Sequence, residues 1–180
     1  MKFINLSHNI YEMESFLTQE ECSDLINLSE QEGYCDADVQ VYNTREMIKS
    51  IRNNKRVNYH SEEWARSWWE RLNKVTLPTF EGKKAVGLSP YFRFYKYSEG
   101  QKFNLHKDGR QQVNDQETLF TFLVYLNEGY EGGNTQFRQD ELEITSKTGN
   151  ALFFEHHLWH QSTLLNSGNK YVVRTDVIYQ

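Results

Sequence analysis

The sequence is poor in cysteine, with only Cys22 and Cys35 in 180 residues, and in proline, with two. Two thiols, one of them on a predicted helix, make no disulfide scaffold, so both are expected to be reduced. Glycine amounts to 10 residues, and the chain has no internal repeat, no low-complexity tract and no linker rich in Pro, Gly or Ser. These absences exclude a disulfide-stabilised module and a string of domains on flexible linkers.

Long apolar runs and an excess of positive charge are missing as well. No apolar run approaches the ~20 residues that a bilayer requires, and the first residues lack the apolar core and cleavage site of a secretory signal. With 20 basic and 25 acidic side chains, the formal net charge is −5. We therefore expect a soluble cytoplasmic protein without a membrane partner, for which nucleic acid is an unfavourable ligand.

The chain does contain the bulk for a hydrophobic core. Hydrophobic residues make up 38% of the sequence and aromatic residues 14%. Burial of such side chains can offset the conformational entropy that folding removes, which argues against disorder. A length of 180 residues fits one domain better than two. We therefore treat residues 1–180 as a single domain.

Helical patterns come first along the chain. Thr18 and Glu21 have the spacing of a capping box, and apolar residues then recur at helical intervals up to Gly33. A second helix is predicted at 61–75, where Ser61 could act as the cap and is followed by an apolar stripe of Trp64, Trp68, Trp69 and Leu72. The favoured interpretation of these tryptophans is packing against a sheet.

Strand patterns follow from about Tyr91 onward. Runs rich in β-branched and aromatic residues predict strands at Tyr91–Tyr97, Thr118–Leu126, Thr135–Arg138, Ala151–Phe154 and Lys170–Tyr179. Because helices precede strands, the sequence predicts an α+β protein. In it, a mainly helical support region at 1–90 packs on one face of an antiparallel sandwich or barrel at 91–180.

A histidine and a carboxylate two positions apart form the most informative local pattern. His106 and Asp108 follow a predicted strand and open a loop. An imidazole and a carboxylate at this spacing can converge on one ion. With a second histidine they would supply the three facial ligands of a two-histidine, one-carboxylate iron(II) site. On its own the pattern is weak, because exposed loops produce His–Asp pairs by chance.

The second histidine has three candidates, all after the predicted strand at 151–154. His160 could return across a barrel to meet His106. His156 and His157 precede His160 by four and three positions. The residues alone leave either of them open as the second ligand.

Several motifs then occur in a specific order between Tyr91 and Tyr179: YSEGQKFNLHKD at 97–108, YLN at 125–127, GGNTQF at 132–137, GNALFF at 149–154 and GNKY at 168–171. This set resembles the prolyl 4-hydroxylase-like branch of the iron(II)/2-oxoglutarate dioxygenases. The resemblance covers about half the chain. It implies a double-stranded β-helix, or jelly-roll, core with N-terminal helices packed on one face.

The resemblance also implies the ligands of the site. Iron(II) is assigned to His106, Asp108 and His160, since the family's distal histidine stands about ten residues before a basic residue that grips the far carboxylate of 2-oxoglutarate. His160 has that separation from Lys170, which favours it over the two preceding histidines.

The contact to the far carboxylate of 2-oxoglutarate has two candidates. Lys170 matches the family position, and Arg174 is its rival because positions 170 and 174 share one strand face. An arginine often serves at this place in relatives, where it can pair with a carboxylate through two hydrogen bonds. Tyr97 falls where the family places a tyrosine that lines the co-substrate pocket.

The implied activity is hydroxylation that depends on iron(II), 2-oxoglutarate and oxygen, and that yields succinate and CO2. The acceptor would be an unactivated C–H bond of a peptidyl or amino-acid substrate, prolyl residues included, or of a small molecule. Two alternatives stay open: another metal-dependent enzyme on a similar barrel, and a non-enzymatic jelly-roll sensor or binding module. The sequence assigns no oligomeric state and no role to residues 34–60, although a basic stretch there is a candidate cover for the site, with Lys49, Arg52, Lys55 and Arg56.

Overall fold

A computed structural model of the protein describes residues 2–37 and 53–180, together with the backbone of two short strands at 39–41 and 44–46. Of the basic stretch, Lys49 and Arg52 lie outside the described residues, whereas Lys55 and Arg56 lie on a strand. No helix in the described part of the chain has the length and apolarity needed to span a membrane. Cys22 and Cys35 are both free thiols.

The elements in chain order are β1 (Lys2–Ser7), β2 (Ile10–Glu14), α1 (Gln19–Glu32), β3 (Cys35–Asp36), β4 (Val39–Val41), β5 (Thr44–Glu46), β6 (Lys55–His60), α2 (Glu62–Leu72), β7 (Ala85–Leu88), β8 (Tyr91–Ser98), β9 (Phe103–His106), β10 (Gln112–Val113), β11 (Gln116–Tyr125), β12 (Glu131–Gly132), β13 (Thr135–Phe137), a 3-10 turn (Gln139–Glu141), β14 (Glu143–Ile144), β15 (Ala151–Glu155), β16 (His160–Ser162), β17 (Leu165–Ser167) and β18 (Asn169–Tyr179).

A large antiparallel sheet and a small one build the core. The large sheet has the strand order β1-β2-β15-β11-β18-β8-β6-β3, with β10 beside β11 and β7 beside β18. The small sheet has the order β14-β13-β16-β9. The predicted antiparallel β core is confirmed, and its five predicted strands correspond to β8, β11, β13, β15 and β18 within two residues at each end.

Both predicted helices are present, with the predicted caps. In α1, the Thr18 side chain accepts a hydrogen bond from the backbone of Glu21, the Glu21 carboxylate accepts one from the backbone of Thr18, and Gly33 ends the helix at φ 82°. In α2, Ser61 caps the backbone N–H of Trp64. These side chains satisfy N–H groups that a helix start otherwise leaves unpaired.

The described part of residues 1–90 differs from the prediction, because it is not mainly helical. Strands β1, β2, β6 and β7 extend the large sheet, so this region contributes to the β core as well as two helices. On β6, the apolar residues Val57 and Tyr59 alternate with Arg56, Asn58 and His60. Such short strands with one polar face carry a weak sequence signal, and their pairing partners lie far along the chain.

Alternation along the large sheet separates two hydrophobic clusters. Phe92 and Phe94 of β8 belong to the cluster shared with Leu25 of α1 and Trp68 of α2, where Trp68 and Phe92 pack edge to face with ring centroids 5.3 Å apart. The other face of β8 carries Tyr95 and Tyr97, which share the second cluster with residues of the small sheet. The space between the two sheets holds the candidate site.

Candidate metal and co-substrate site

The two histidines His106 and His160 lie opposite each other on paired strands. His106 is the last residue of β9, His160 is the first of β16, and the antiparallel register pairs the two residues directly. Their ring centroids are 4.2 Å apart. The strand register therefore places two residues that are distant in sequence on one side of the small sheet.

Asp108 joins the two histidines from the loop after β9. Its backbone N–H donates to the carbonyl of His156 at 2.9 Å, which fixes the start of the loop. Its carboxylate oxygens lie 3.9 Å from Nε2 of His106 and 3.7 Å from Nε2 of His160. One ligand atom from each of the three residues lies within 4.8 Å of the other two, a separation suited to one metal ion.

Backbone carbonyls orient both imidazoles toward a common point. Nδ1 of His106 lies 2.8 Å from the carbonyl of Asn104, and Nδ1 of His160 lies 3.0 Å from the carbonyl of Leu158. Because a carbonyl only accepts, each Nδ1 carries the proton and each Nε2 keeps its lone pair. Such support behind a ligating histidine fixes its tautomer and its direction.

The charge states of the three groups suit metal binding. Burial, together with the nearby His160, lowers the pKa of His106 to about 3, and burial also lowers the pKa of His160. Burial works to raise the pKa of Asp108, but Arg174 and the surrounding histidines together outweigh burial and hold this pKa below its usual range. Two neutral nitrogen donors and one carboxylate are a donor set that fits iron(II).

The other candidate histidines lie elsewhere. His156 is buried, with Nε2 3.4 Å from a carboxylate oxygen of Asp176, and His157 is half exposed beside Glu155. Among the described residues, the only cluster of three or more potential metal ligands is the one with His160. The loop that carries Asp108 is therefore close to His160 and not a remote surface loop.

A single cavity contains all six site residues that the sequence singled out: Tyr97, His106, Asp108, His160, Lys170 and Arg174. It encloses about 410 Å³ including its open mouth, and apolar side chains of both sheets line much of the remaining wall. A cavity with a few polar groups on an apolar wall is typical of a small-molecule site.

Lys170 is a buried cation inside this cavity. It is 2% exposed, and its Nζ donates to the carbonyl of Gly133 at 2.6 Å and to Oγ of Ser162 at 3.2 Å. Among the described residues, no carboxylate forms an ion pair with it. Burial lowers the pKa of Lys170 to about 7. A buried amine without an anionic partner is suited to an anionic ligand, because the ligand would supply the missing charge.

Arg174, the rival for the carboxylate contact, is already engaged. Its guanidinium donates to Asp108 at 2.5 Å and to Asp176 at 2.7 Å. Tyr97 is buried, and its ring centroid lies 5.2 Å from Nζ of Lys170, so the tyrosine borders the part of the cavity that holds the amine.

Two polar residues of the site were missed at the level of sequence. Thr121 is fully buried and donates to the second oxygen of Asp108 at 2.6 Å, and Ser162 accepts a hydrogen bond from Lys170. The signal for Thr121 is a hydroxyl at an inward position of an otherwise apolar strand, since alternate residues of a strand share a face. Ser162 stands two positions after His160 and shares its face for the same reason.

Comparison with known proteins gives one family match. Residues 92–175 match the sequence profile of the 2OG-Fe(II) oxygenase superfamily, and this segment contains His106, Asp108, His160, Lys170 and Arg174. No curated protein matches the chain at a significant level.

Solved structures resemble the chain over nearly its whole length. The viral collagen prolyl hydroxylase of Paramecium bursaria Chlorella virus-1, in its complex with 2OG, has 20% identity and a TM-score of 0.66, over 96% of this chain and 97% of that one. A prolyl-4-hydroxylase of Pseudomonas putida has 16% identity and a TM-score of 0.72, over 96% and 94%. A prolyl hydroxylase of Trichoplax adhaerens, in complex with a hypoxia inducible factor peptide fragment, has 17% identity and a TM-score of 0.74, over 96% and 84%. At these identities the likeness establishes the fold.

Proposed function

We propose that the protein is a 2-oxoglutarate-dependent hydroxylase that uses Fe(II) and O2, and that it hydroxylates an unactivated C–H bond of a peptidyl or amino-acid substrate. The match of residues 92–175 to the 2OG-Fe(II) oxygenase superfamily supports this proposal. One observation carries the site assignment behind this proposal. Three potential metal ligands and a buried lysine without a carboxylate partner among the described residues line the same cavity.

The ligand set we propose is His106, Asp108 and His160. The two imidazoles present Nε2 lone pairs because their Nδ1 atoms donate to backbone carbonyls, and the carboxylate supplies the negative charge. Three protein ligands leave coordination positions for a co-substrate and oxygen. When bound, Fe(II) supplies the redox chemistry that couples decarboxylation of 2-oxoglutarate by oxygen to hydroxylation of the acceptor.

Lys170 is the proposed partner of the far carboxylate of 2-oxoglutarate. It lies in the ligand-lined cavity, and the hydrogen bonds to Gly133 and Ser162 direct its Nζ. Arg174 is the weaker candidate, since its guanidinium already pairs with two carboxylates. Tyr97 would border the co-substrate beside the lysine.

The cavity wall would exclude water from the reacting atoms. Leu123, Phe154 and Val172, all from the large sheet, line the cavity. An apolar wall of this kind strengthens the electrostatic attraction between Lys170 and a bound carboxylate, and it limits side reactions with solvent.

The acceptor would bind in a second groove beside the cavity. This groove encloses about 1000 Å³ including its open mouth. Its residue Arg93 is directly opposite the cavity residue Arg174 in the strand register. Gln111, in the loop that begins with the ligand Asp108, lines the groove as well. A space this close to the site and large enough for an amino-acid residue is suited to a peptide segment or a free amino acid.

The peptidyl class is favoured by the structural likenesses. Three of the similar structures are prolyl hydroxylases, and one of these is in complex with a peptide fragment of hypoxia inducible factor. Prolyl hydroxylation is accordingly the first reaction to test for this chain, ahead of free amino acids and other small metabolites.

The test is a turnover screen with the purified protein, Fe(II), 2-oxoglutarate and oxygen. Candidate acceptors are proline-containing peptides, matched peptides with alanine in place of proline, and free amino acids. Succinate formation is the readout, and a mass gain of one oxygen atom on the acceptor identifies the product. The proposal predicts acceptor-dependent succinate that is absent for His106→Ala.

The control variant is His157→Gln, which removes a half-exposed histidine outside the cavity. It should turn over like the wild-type protein. Succinate formation that is the same in His106→Ala and in the wild type would contradict the site. Mass gain restricted to small metabolites would contradict the peptidyl assignment and leave the ligand set intact.

A further inference from the structure

Behind the proposed metal ligand Asp108 lies a buried row of alternating charges. Arg174 donates from Nη1 to Oδ1 of Asp108 at 2.5 Å and from Nη2 to Oδ1 of Asp176 at 2.7 Å. Arg93 donates to the other oxygen of Asp176 at 3.0 Å. The side chains of Asp108 and Asp176 are 4% and 1% exposed, and that of Arg174 is 12% exposed. One guanidinium therefore bridges the ligand carboxylate and a second, deeper carboxylate.

The second oxygen of Asp108 is held from the neighbouring strand. Oγ1 of Thr121 donates to Oδ2 at 2.6 Å, and the threonine is fully buried. In the register of β11 and β18, Thr121 is opposite Asp176 and Leu123 is opposite Arg174. Thr121 and Arg174 therefore project from adjacent strands of one sheet, and each takes a different oxygen of the same carboxylate.

Burial of this row is costly, and net stability is a poor explanation for it. Removing charges from water carries a desolvation penalty that the attraction inside the protein often fails to recover, so buried ion pairs are weak contributors to stability. A planar guanidinium does, however, fix the direction of the carboxylates it pairs with, because its donors are held in a rigid fork. The orientation of the carboxylates is therefore a better explanation for the row than its contribution to stability.

We infer that Arg174 is a positioning residue for the metal site, which with Thr121 holds the Asp108 carboxylate in its ligating orientation while Asp176 fixes the guanidinium. The inference rests on the proposed ligand set. It assigns different roles to the two basic residues of β18. Lys170 would contact the co-substrate, and Arg174 would orient the metal ligand Asp108.

The sign of the effect on metal affinity distinguishes positioning from charge. A cation beside a divalent metal ion repels it, so removal of the guanidinium would by charge alone strengthen metal binding. Loss of a group that orients a ligand instead weakens metal binding, commonly by about 10- to 100-fold. Weaker binding after the removal of a positive charge is therefore the signature of the positioning role.

The experiment is a titration with Co(II), which reports on its own coordination through its visible spectrum, at pH 8 and without 2-oxoglutarate. We expect Arg174→Met to weaken Co(II) binding by about 10- to 100-fold and to alter the spectrum. Arg174→Lys should weaken it by at least about tenfold, because one ammonium lacks the fork that spans both carboxylates. The matched control is Arg93→Met, which removes the same charge from the same Asp176 without touching Asp108; its affinity should stay within about threefold of wild type.

Several results would overturn the inference. Wild-type affinity and spectrum in Arg174→Met would remove the positioning role, and full rescue by Arg174→Lys would show that the guanidinium fork between the two carboxylates is not what holds Asp108. An equal loss in Arg93→Met would show that the effect runs through the whole row and not through the direct contact. A wild-type protein that binds no Co(II), or binds it as well in His106→Ala, would overturn the ligand set and the inference with it.

A second variant covers the case in which Arg174→Met fails to fold, as judged by circular dichroism. Thr121→Val keeps the shape of the side chain and removes only its hydrogen bond to Asp108. It should weaken Co(II) binding by at least about threefold, and Thr121→Ser should restore it. Wild-type affinity in Thr121→Val would then overturn the two-point hold on the carboxylate.

Discussion

Binding of 2-oxoglutarate should draw a proton onto Lys170. The amine is buried, pairs with no carboxylate of the described residues, and has a pKa lowered to about 7 by burial. Only its ammonium form attracts a carboxylate. If the far carboxylate of 2-oxoglutarate comes into contact with Nζ, the opposite charge raises the pKa of the lysine back toward its ordinary value and the site takes up a proton.

The size of this coupling follows from the pKa of the free site. At pH 8 the free amine is protonated in about one molecule in ten and the bound amine in nearly all, so binding should take up about 0.9 proton. At pH 6 the amine is already charged, and uptake should fall to about 0.1 proton. The affinity for 2-oxoglutarate should therefore weaken by about tenfold for each pH unit above 7.

The stability of the ligand-free protein should increase with pH, whereas the affinity for 2-oxoglutarate should decrease. The pKa of Lys170 is lower in the folded protein than in the unfolded chain, whose value is near 10.5. Between these two values the unfolded chain binds more protons than the folded one, so the contribution of this lysine to the free energy of unfolding increases with pH. Its full penalty acts below pH 7 and disappears as the pH rises through the unfolded value.

The assay is calorimetry of 2-oxoglutarate binding to the Mn(II)-loaded protein without oxygen. Runs at each pH in two buffers that are effective at that pH, do not bind Mn(II) and differ in ionisation enthalpy give the number of protons taken up. Lys170→Met should bind 2-oxoglutarate weakly, and Lys170→Arg should bind it with no proton uptake, because arginine stays charged at both pH values. Equal uptake at pH 6 and pH 8, or uptake in Lys170→Met that matches wild type, would refute the reasoning.

Three further predictions concern the ligands and the fold. His106→Ala should abolish stoichiometric Fe(II) binding in metal analysis, and His157→Gln should retain it; retention in both would contradict the ligand set. Trp68→Ala should lower the free energy of unfolding in urea by about 3–5 kcal/mol, because the buried indole packs between α2 and the large sheet, and a loss below 1 kcal/mol would speak against that contact. Gly149→Ala should lower the free energy of unfolding by at least about 2 kcal/mol, because a Cβ there would lie 2.2 Å from a backbone oxygen and the backbone has φ 80°. Gly129→Ala has the same backbone strain at φ 84° but open space around it, and it should lower the free energy of unfolding by about 1 kcal/mol.

Local patterns were enough to predict the elements with strong signals. Each of these elements combines a regular spacing of apolar residues with a clear start or end. Examples are the capping box at Thr18 and Glu21, the stripe that ends at Leu72 and the runs around Phe94 and Phe122. Such patterns act within one element, so they can be found without knowledge of the partner strand.

The strands of the N-terminal region needed information that no local pattern holds. On β2, only Ile10 and Met13 are buried, and the spacing of three between them is not that of a strand. This strand exists because it pairs with β15, more than a hundred residues away. Tertiary pairing of this kind overrides weak local propensity.

The site shows the same division. The His106–Asp108 spacing and the family motifs pointed to the proposed ligands, whereas the proposed roles of Thr121 and Arg174 depend on the register between β11 and β18. Alternation predicts that positions 170 and 174 share a strand face, but only the register shows which of them meets Asp108. The sequence therefore pointed to the residues that meet in the cavity, but not to the contacts that hold Asp108.

The most direct test of the account is the visible spectrum of the Fe(II)-loaded protein under nitrogen as 2-oxoglutarate is added. If the keto acid chelates the metal held by His106, Asp108 and His160, a charge-transfer absorption should appear and saturate at one equivalent, and Lys170→Met should require far more 2-oxoglutarate to reach it. Bound iron whose spectrum does not change with 2-oxoglutarate would contradict the shared site.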